Sequence, residues 1–170
     1  ALAYQESTEY EKAAEMLRKS LKIVDLYKDA VIPQATTRTN LASSLLGIGT
    51  ESAYVEATEH LSKALEIFEK DGGRDFHYGA ALVAMGDACS YKEDYVKAAK
   101  YYEMGMAEVE KHTGKNENYA RILEKFEFAS KMCKERNLWK SNLEKSRDFY
   151  ETYGKPMIEK KFPSYAAKIA

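Results

Sequence analysis

Gly79-Ala-Ala-Leu-Val-Ala-Met-Gly-Asp-Ala-Cys-Ser-Tyr-Lys-Glu-Asp-Tyr-Val-Lys-Ala-Ala-Lys-Tyr-Tyr-Glu-Met-Gly-Met106 decides the fold, because it reads as two helices with small residues where helices must touch. Leu82, Met85 and Cys89 recur at helical spacing with Gly86 beside them, and Tyr95, Ala98, Tyr102 and Gly105 do the same in the second half. A glycine inside a helix costs about 1 kcal/mol relative to alanine, so Gly86 implies that another helix crosses closely there. Ser90 to Asp94 is short and polar, and Asp94 is an N-cap candidate. The unit is a helical hairpin.

The hairpin recurs. Tyr10-Glu-Lys-Ala13-Ala-Glu-Met-Leu17-Arg-Lys-Ser20-Leu21 and Tyr54-Val-Glu-Ala57-Thr-Glu-His-Leu61-Ser-Lys-Ala64-Leu65 align with the helix that carries Ala98. Ala13 to Ala57 is a step of 44 residues and Ala57 to Ala98 one of 41, within the range that marks stacked arrays. A fourth copy pairs Phe128-Ala129-Ser-Lys-Met132 with Asn137-Leu138-Trp139-Lys-Ser141, then departs at Lys145 and Asp148. The expectation is an all-α, right-handed α-solenoid of about four hairpins, over residues 1–30, 33–70, 75–112 and 116–153. Residues 154–170 would be a linker or the start of a following domain.

This pattern resembles the tetratricopeptide repeat (TPR) family. The resemblance rests on Asn40-Leu41-Ala42, Met85-Gly86 with Cys89, Tyr10 with Ala13, Leu17 and Ser20-Leu21, Ala57 with Leu61 and Ala64-Leu65, and Tyr95 with Ala98 and Tyr102. The family's usual period is about 34, and the longer steps are closer to the kinesin-light-chain-like variety. About eight extra residues add roughly two helical turns per hairpin. The likeness covers residues 1–153.

Charged residues make up 31% and hydrophobic ones 45%, with only 3 prolines and 9 glycines, which fits a helical protein and disfavours disorder. A net charge of −1 supplies no electrostatic case for nucleic acid or membrane. Cys89 and Cys133 have neither metal-ligand nor redox spacing, and Cys89 falls on an apolar stripe as a core thiol. The sequence as it stands reads without a signal peptide or a bilayer-spanning apolar run, and the expected location is cytoplasmic. Ala1 is not a natural start, and the sequence reads as a piece cut from something longer.

Residues 1–7 read as the stub of a first helix, and Thr8 to Glu11 as a capping box opening the second, which runs from Tyr10 to about Tyr27 with Ala13, Leu17, Leu21, Val24 and Leu26 on its apolar face. Pro33 suits the first turn of the next helix, which reaches about Leu46. Gly47-Ile-Gly-Thr-Glu is a turn, and a helix from Ser52 to Lys70 closes at Asp71-Gly72-Gly73. The third hairpin spans Asp75 to His112 and ends at Thr113-Gly114. Asn116 would cap a helix carrying Tyr119, Ile122, Phe126, Ala129 and Met132, and a last helix would run from Asn137 to Tyr153.

After Gly154 the composition changes. Ser146, Arg147, Tyr150, Tyr153-Gly154, Pro156-Met157, Phe162-Pro163 and Ile169-Ala170 resemble the opening of a bacterial nucleotidyltransferase-like domain of unknown function. In that family metal-binding aspartates would follow, so no catalytic residue transfers to this chain.

No catalytic constellation stands out from the solvated faces, and the expectation is a chain that is not itself an enzyme, with no cofactor and no metal. His60, His77 and His112 fall in different hairpins without HExxH or CxxC partners. If the hairpins stack as the TPR resemblance implies, first helices line a concave groove carrying Thr36, Thr39, Asn40 and Ser43, then Ala80, Val83, Ala84, Asp87 and Tyr91, then Lys125 and Phe126. Asn40 matches the family asparagine that holds a peptide backbone, whereas Ala80 and Ala84 stand where chaperone-binding members grip a carboxylate. Trp139, Phe149, Tyr150 and Tyr153 exceed what a solvated terminal helix needs; they either cover the end of the array or form an interface.

The expected function is non-catalytic protein–protein interaction, with a partner peptide or helix in the groove. The partner is another protein or a neighbouring domain, with a homodimer through the C-terminal helices possible; no membrane is expected. One alternative is an N-terminal regulatory or positioning domain of a larger nucleotidyltransferase-like enzyme. RNA binding through Lys155, Lys160, Lys161 and Lys168 is the weaker rival at this net charge.

Overall fold

The computed structural model describes residues 2–71, 75–156 and 160, with side chains from Glu6 onward, Trp139 excepted. The described residues form six α-helices and no strand: α1 (Leu2–Val24), α2 (Val31–Ile48), α3 (Glu51–Lys70), α4 (Phe76–Tyr91), α5 (Tyr95–Thr113) and α6 (Glu117–Phe149). A single π-helical turn, Tyr150–Gly154, follows α6. The chain divides into two units, Ala1–Ser130 and Lys131–Ala170.

Helix starts in the first unit follow local chemistry. Thr50 accepts from Ala53 N, Asp75 from His77 N and Tyr78 N, and Asp94 from Lys97 N, so each satisfies amide groups that the first turn leaves without a helical partner. Asn116 does the same for α6 by accepting from Tyr119 N at 3.1 Å. At the end of α2, Gly49 lies at φ 75°, a left-handed conformation that glycine adopts without a Cβ penalty. Pro33 sits in the first turn of α2, and the next residue, Gln34, donates to the carbonyls of Val24 and Tyr27 at 3.2 and 2.9 Å.

Successive helices of the first unit pack on one another, α1 on α2, α2 on α3, α3 on α4 and α4 on α5, and α2 also meets α4. Ala14, Leu21, Leu41, Leu45, Ala57 and Leu61 belong to one core cluster. Phe68, Tyr78, Ala64 and Leu82 centre a second, and Ala98, Tyr102, Val109, Ile122 and Ala129 a third. Ala57 and Ala98 are fully buried, as the repeat alignment requires, but in α1 the fully buried alanine is Ala14, with Ala13 only half-buried. At Gly86 a Cβ would lie 2.6 Å from the ring of Tyr102, itself only 2% exposed, so the expected close crossing is the contact between α4 and α5.

Two expected boundaries are absent. α1 runs through Thr8 without a break, and the capping box does not form. Nothing between Leu2 and Thr8 stops a helix, and threonine costs only a few tenths of a kcal/mol in one. α1 also ends at Val24, which leaves Leu26 79% exposed rather than on the buried face. At the other end, α6 is continuous from Glu117 to Phe149, so the turn expected between Met132 and Asn137 does not exist and residues 116–153 are not a hairpin. Lys131-Met-Cys-Lys-Glu-Arg136 contains neither glycine nor proline and consists mostly of good helix formers, so propagation continues. In the second unit no described side chain from Lys131 to Gly154 is buried. Gly72-Gly73, Met157, Phe162-Pro163, Lys161, Lys168 and Ile169-Ala170 lie outside the described residues.

Candidate functional site

The first unit holds an open cleft of about 270 Å³ whose lining comes from α2, α4, α5 and the first turns of α6. Its walls are apolar: Phe76, Ala80, Val83 and Ala84 from α4, Val109 from α5 and Ile122 from α6. Alanines at 80 and 84 leave the space, because side chains one turn apart on a helix stand one above the other and both are short here. The polar groups lie among Ser43, Asp87, Asn118, Arg121 and Lys125.

Asp87 anchors the polar side. Lys125 Nζ donates to both of its carboxylate oxygens at 2.8 Å, tying α6 to α4. The buried Tyr102 hydroxyl donates to Asp87 Oδ1 at 2.8 Å. With that proton committed, the Ser90 hydroxyl, 3.1 Å away, is the donor to Tyr102. Burial, with Asp87 beside it, raises the Tyr102 pKa far above the ordinary phenol value, so the phenol stays a donor throughout the physiological range. The chain Ser90–Tyr102–Asp87–Lys125 therefore holds the carboxylate in place. Arg121, one turn before Lys125, pairs among the described residues only with Glu117 of its own helix at 2.7 Å, with both side chains largely in water. Such pairs contribute little, which leaves Arg121 available to an incoming group.

Of the expected groove residues, Ser43, Val83, Asp87, Ala80, Ala84 and Lys125 line this cleft. Thr39 does not: it is 4% exposed and its hydroxyl donates to Ala35 O at 3.0 Å, because it lies on the side of α2 that faces the core. Thr36 is half-buried outside the cleft, and Asn40 is exposed outside it, with no side-chain hydrogen bond among the described residues. Tyr91 is engaged elsewhere. Its ring stacks on Tyr54 at 5.2 Å, its hydroxyl donates to Gly49 O at 3.1 Å, and Lys92 lies 4.7 Å over Tyr54 while bonding Glu51. That cluster joins the α2–α3 turn to the α4–α5 turn. Phe126 is half-buried against the third core cluster.

Phe76, Val109, Asn118, Arg121 and Ile122 are cleft residues that the sequence did not place in the groove, Ile122 being expected only on the apolar stripe of its helix. Asn118–Ile122 and Arg121–Lys125 are four residues apart, a spacing that would have put them on neighbouring faces of α6 had the approach of that helix been known. Val109 belongs to a second helix of a hairpin and carries no such signal.

In the second unit Phe149, Tyr150 and Tyr153 are 67%, 39% and 64% exposed, and the Phe149 and Tyr153 rings lie 5.1 Å apart. The side chain of Trp139 lies outside the described residues. Cys89 is half-buried against the third cluster, and burial pushes its thiol pKa up, away from reactivity.

His60 sits in a polar clasp between α1, α2 and α3. Arg18 pairs with Glu56 through two bonds of 2.7 and 2.6 Å, Arg38 pairs with Asp25 at 2.9 and 2.8 Å, and His60 lies 3.4 Å from Arg38 and 3.7 Å from Glu56. Burial and then the Arg38 charge lower the His60 pKa. Among the described residues no helix is long and apolar enough to cross a membrane, and no group of three or more acidic, histidine or cysteine side chains could hold a metal ion. Comparison with protein-family models, with curated proteins and with solved structures found no match to this chain.

Proposed function

We propose that the first unit is a right-handed, TPR-like α-solenoid that binds a segment of a partner protein in the α2/α4/α5/α6 cleft without catalysing a reaction. The observation that carries the reading is the cleft itself, about 270 Å³ of open space with apolar walls and with Asp87 and Lys125 held on its polar side by a preformed network. The stepwise packing of successive helices supports the solenoid, since the α2–α3 hairpin packs on α1 on one side and on α4 of the next hairpin on the other. One large apolar side chain enters between Ala80, Ala84 and Ile122. Arg121, Asn118 and Ser43 meet the backbone beside it. The Lys125–Asp87 pair gives orientation more than affinity, because a partly exposed ion pair contributes little net energy.

Ala80→Leu fills the cleft from a half-exposed position. Peptides selected on the wild-type chain from a displayed random library lose about tenfold or more in affinity for this variant, measured by fluorescence anisotropy, while the thermal midpoint is unchanged. Equal binding by wild type and Ala80→Leu would exclude the cleft as the site.

A further inference from the structure

A second and larger cleft, about 380 Å³, is lined by residues of α3, α4 and α5, with Leu65, Leu82, Tyr101 and Met104 as its apolar part. Leu82 is two residues from both Ala80 and Ala84, about 200° around a helix, so this cleft opens on the other side of α4 from the first. Leu65 and Leu82 are 9% and 2% exposed and form the floor, while Met104 is 46% exposed. Val96, Lys100 and Met104 recur every four residues on α5, and Val96 is 60% exposed, so an apolar line broken by one lysine runs about two turns along the helix.

Charge is distributed unevenly around this opening. Among the described residues Lys100 of α5 has no ion-pair partner, and Lys97, its side chain 70% exposed, reaches only Asp94, 3.5 Å away and one turn back. On α3 the lining carries Glu69. The whole chain has net charge −1, so the two lysines are a local feature.

We propose that this second cleft docks an acidic amphipathic helix of a partner protein. Its apolar residues at three- and four-residue spacing sit on Leu65, Leu82 and Met104, and its carboxylates face Lys97 and Lys100. Glu69 repels acid on the opposite wall and so fixes which edge of the incoming helix faces α5. Met104 suits such a surface because its flexible thioether adapts to different apolar partners.

The test uses the full chain labelled with ¹³C at its methionine methyls and two synthetic helical peptides of about eighteen residues. Both carry the same leucine stripe; one is flanked by glutamates on one edge and the other by lysines. The glutamate peptide shifts the Met104 methyl, leaves Met16 unmoved, and binds more weakly as salt rises. Lys97→Glu with Lys100→Glu weakens that peptide about tenfold or more and now admits the lysine peptide. Ala80→Leu leaves binding unchanged. No shift at Met104, equal binding of the two peptides, indifference to the charge reversal, or loss of binding in Ala80→Leu would each overturn the proposal, the last by placing the peptide in the first cleft.

Discussion

In sequence the α4–α5 hairpin and residues 116–153 read as copies of one repeat, the second departing from it at Lys145 and Asp148, yet the first is a folded hairpin and the second one continuous helix followed by a π turn. In α4 seven residues are buried, two of them glycines, whereas from Lys131 to Gly154 no described side chain is. What separates them is a chain stop plus a place to dock. Lys92-Glu-Asp94 reverses direction, with Glu93 at φ 59° and Asp94 capping the next helix, and Tyr102 then seats on Gly86. Around Met132 to Asn137 there is no stop and no glycine for a crossing helix, so the helix runs on. Apolar residues at the right spacing do not make a hairpin unless something ends the first helix and something receives the second.

The comparison is broken most severely by removing the knob of the hairpin. Tyr102→Ala empties a fully packed site and costs about 3–5 kcal/mol, whereas Leu143→Ala, at a 47% exposed position, stays within about 0.5 kcal/mol. Urea denaturation followed by circular dichroism checks both. Similar losses at the two sites would show that the second unit has a core of its own.

A smaller effect comes from the hole rather than the knob. Gly86→Ala gains about 1 kcal/mol of helix propensity, but its Cβ meets a ring that cannot retreat, and overpacking outweighs the gain for a net loss of about 1–2 kcal/mol. A variant as stable as wild type in the same denaturation experiment would show that α4 and α5 can move apart.

The smallest effect is confined to the first unit, the only one of the two that holds a histidine. The folded-state pKa of His60 lies below its ordinary 6.5, so in the window below 6.5 the unfolded chain binds more protons and stability falls as pH drops. Arg38 and Lys63 oppose the imidazolium and Glu56 favours it, with burial dominant. Glu56 itself is held below its ordinary 4.5 by Arg18, so its contribution is lost only at lower pH. His60→Gln therefore flattens the change in urea midpoint between about pH 7.5 and about pH 5. An unchanged slope would assign the pH dependence to other groups.

The repeat alignment anticipated the buried Ala57 and Ala98, the close approach at Gly86, and the caps at Asp94 and Asn116. It failed at Thr8 and at residues 133–136, where a cap signal and an apolar pattern had no breaker to enforce them. The candidate site was legible in part. Ser43, Val83 and Asp87 line the cleft, but Thr39 turned to the core and Tyr91 to Tyr54.

By itself the sequence determined the all-helical class, the α2–α3 and α4–α5 hairpins and most of their ends, because helical periodicity, caps and glycines act within a few residues of where they stand. Which polar residues face open space was decided only by tertiary structure. That depends on the approach of α6 to α4, where Lys125 meets Asp87 across 38 positions of the chain, and no local preference encodes a contact of that range.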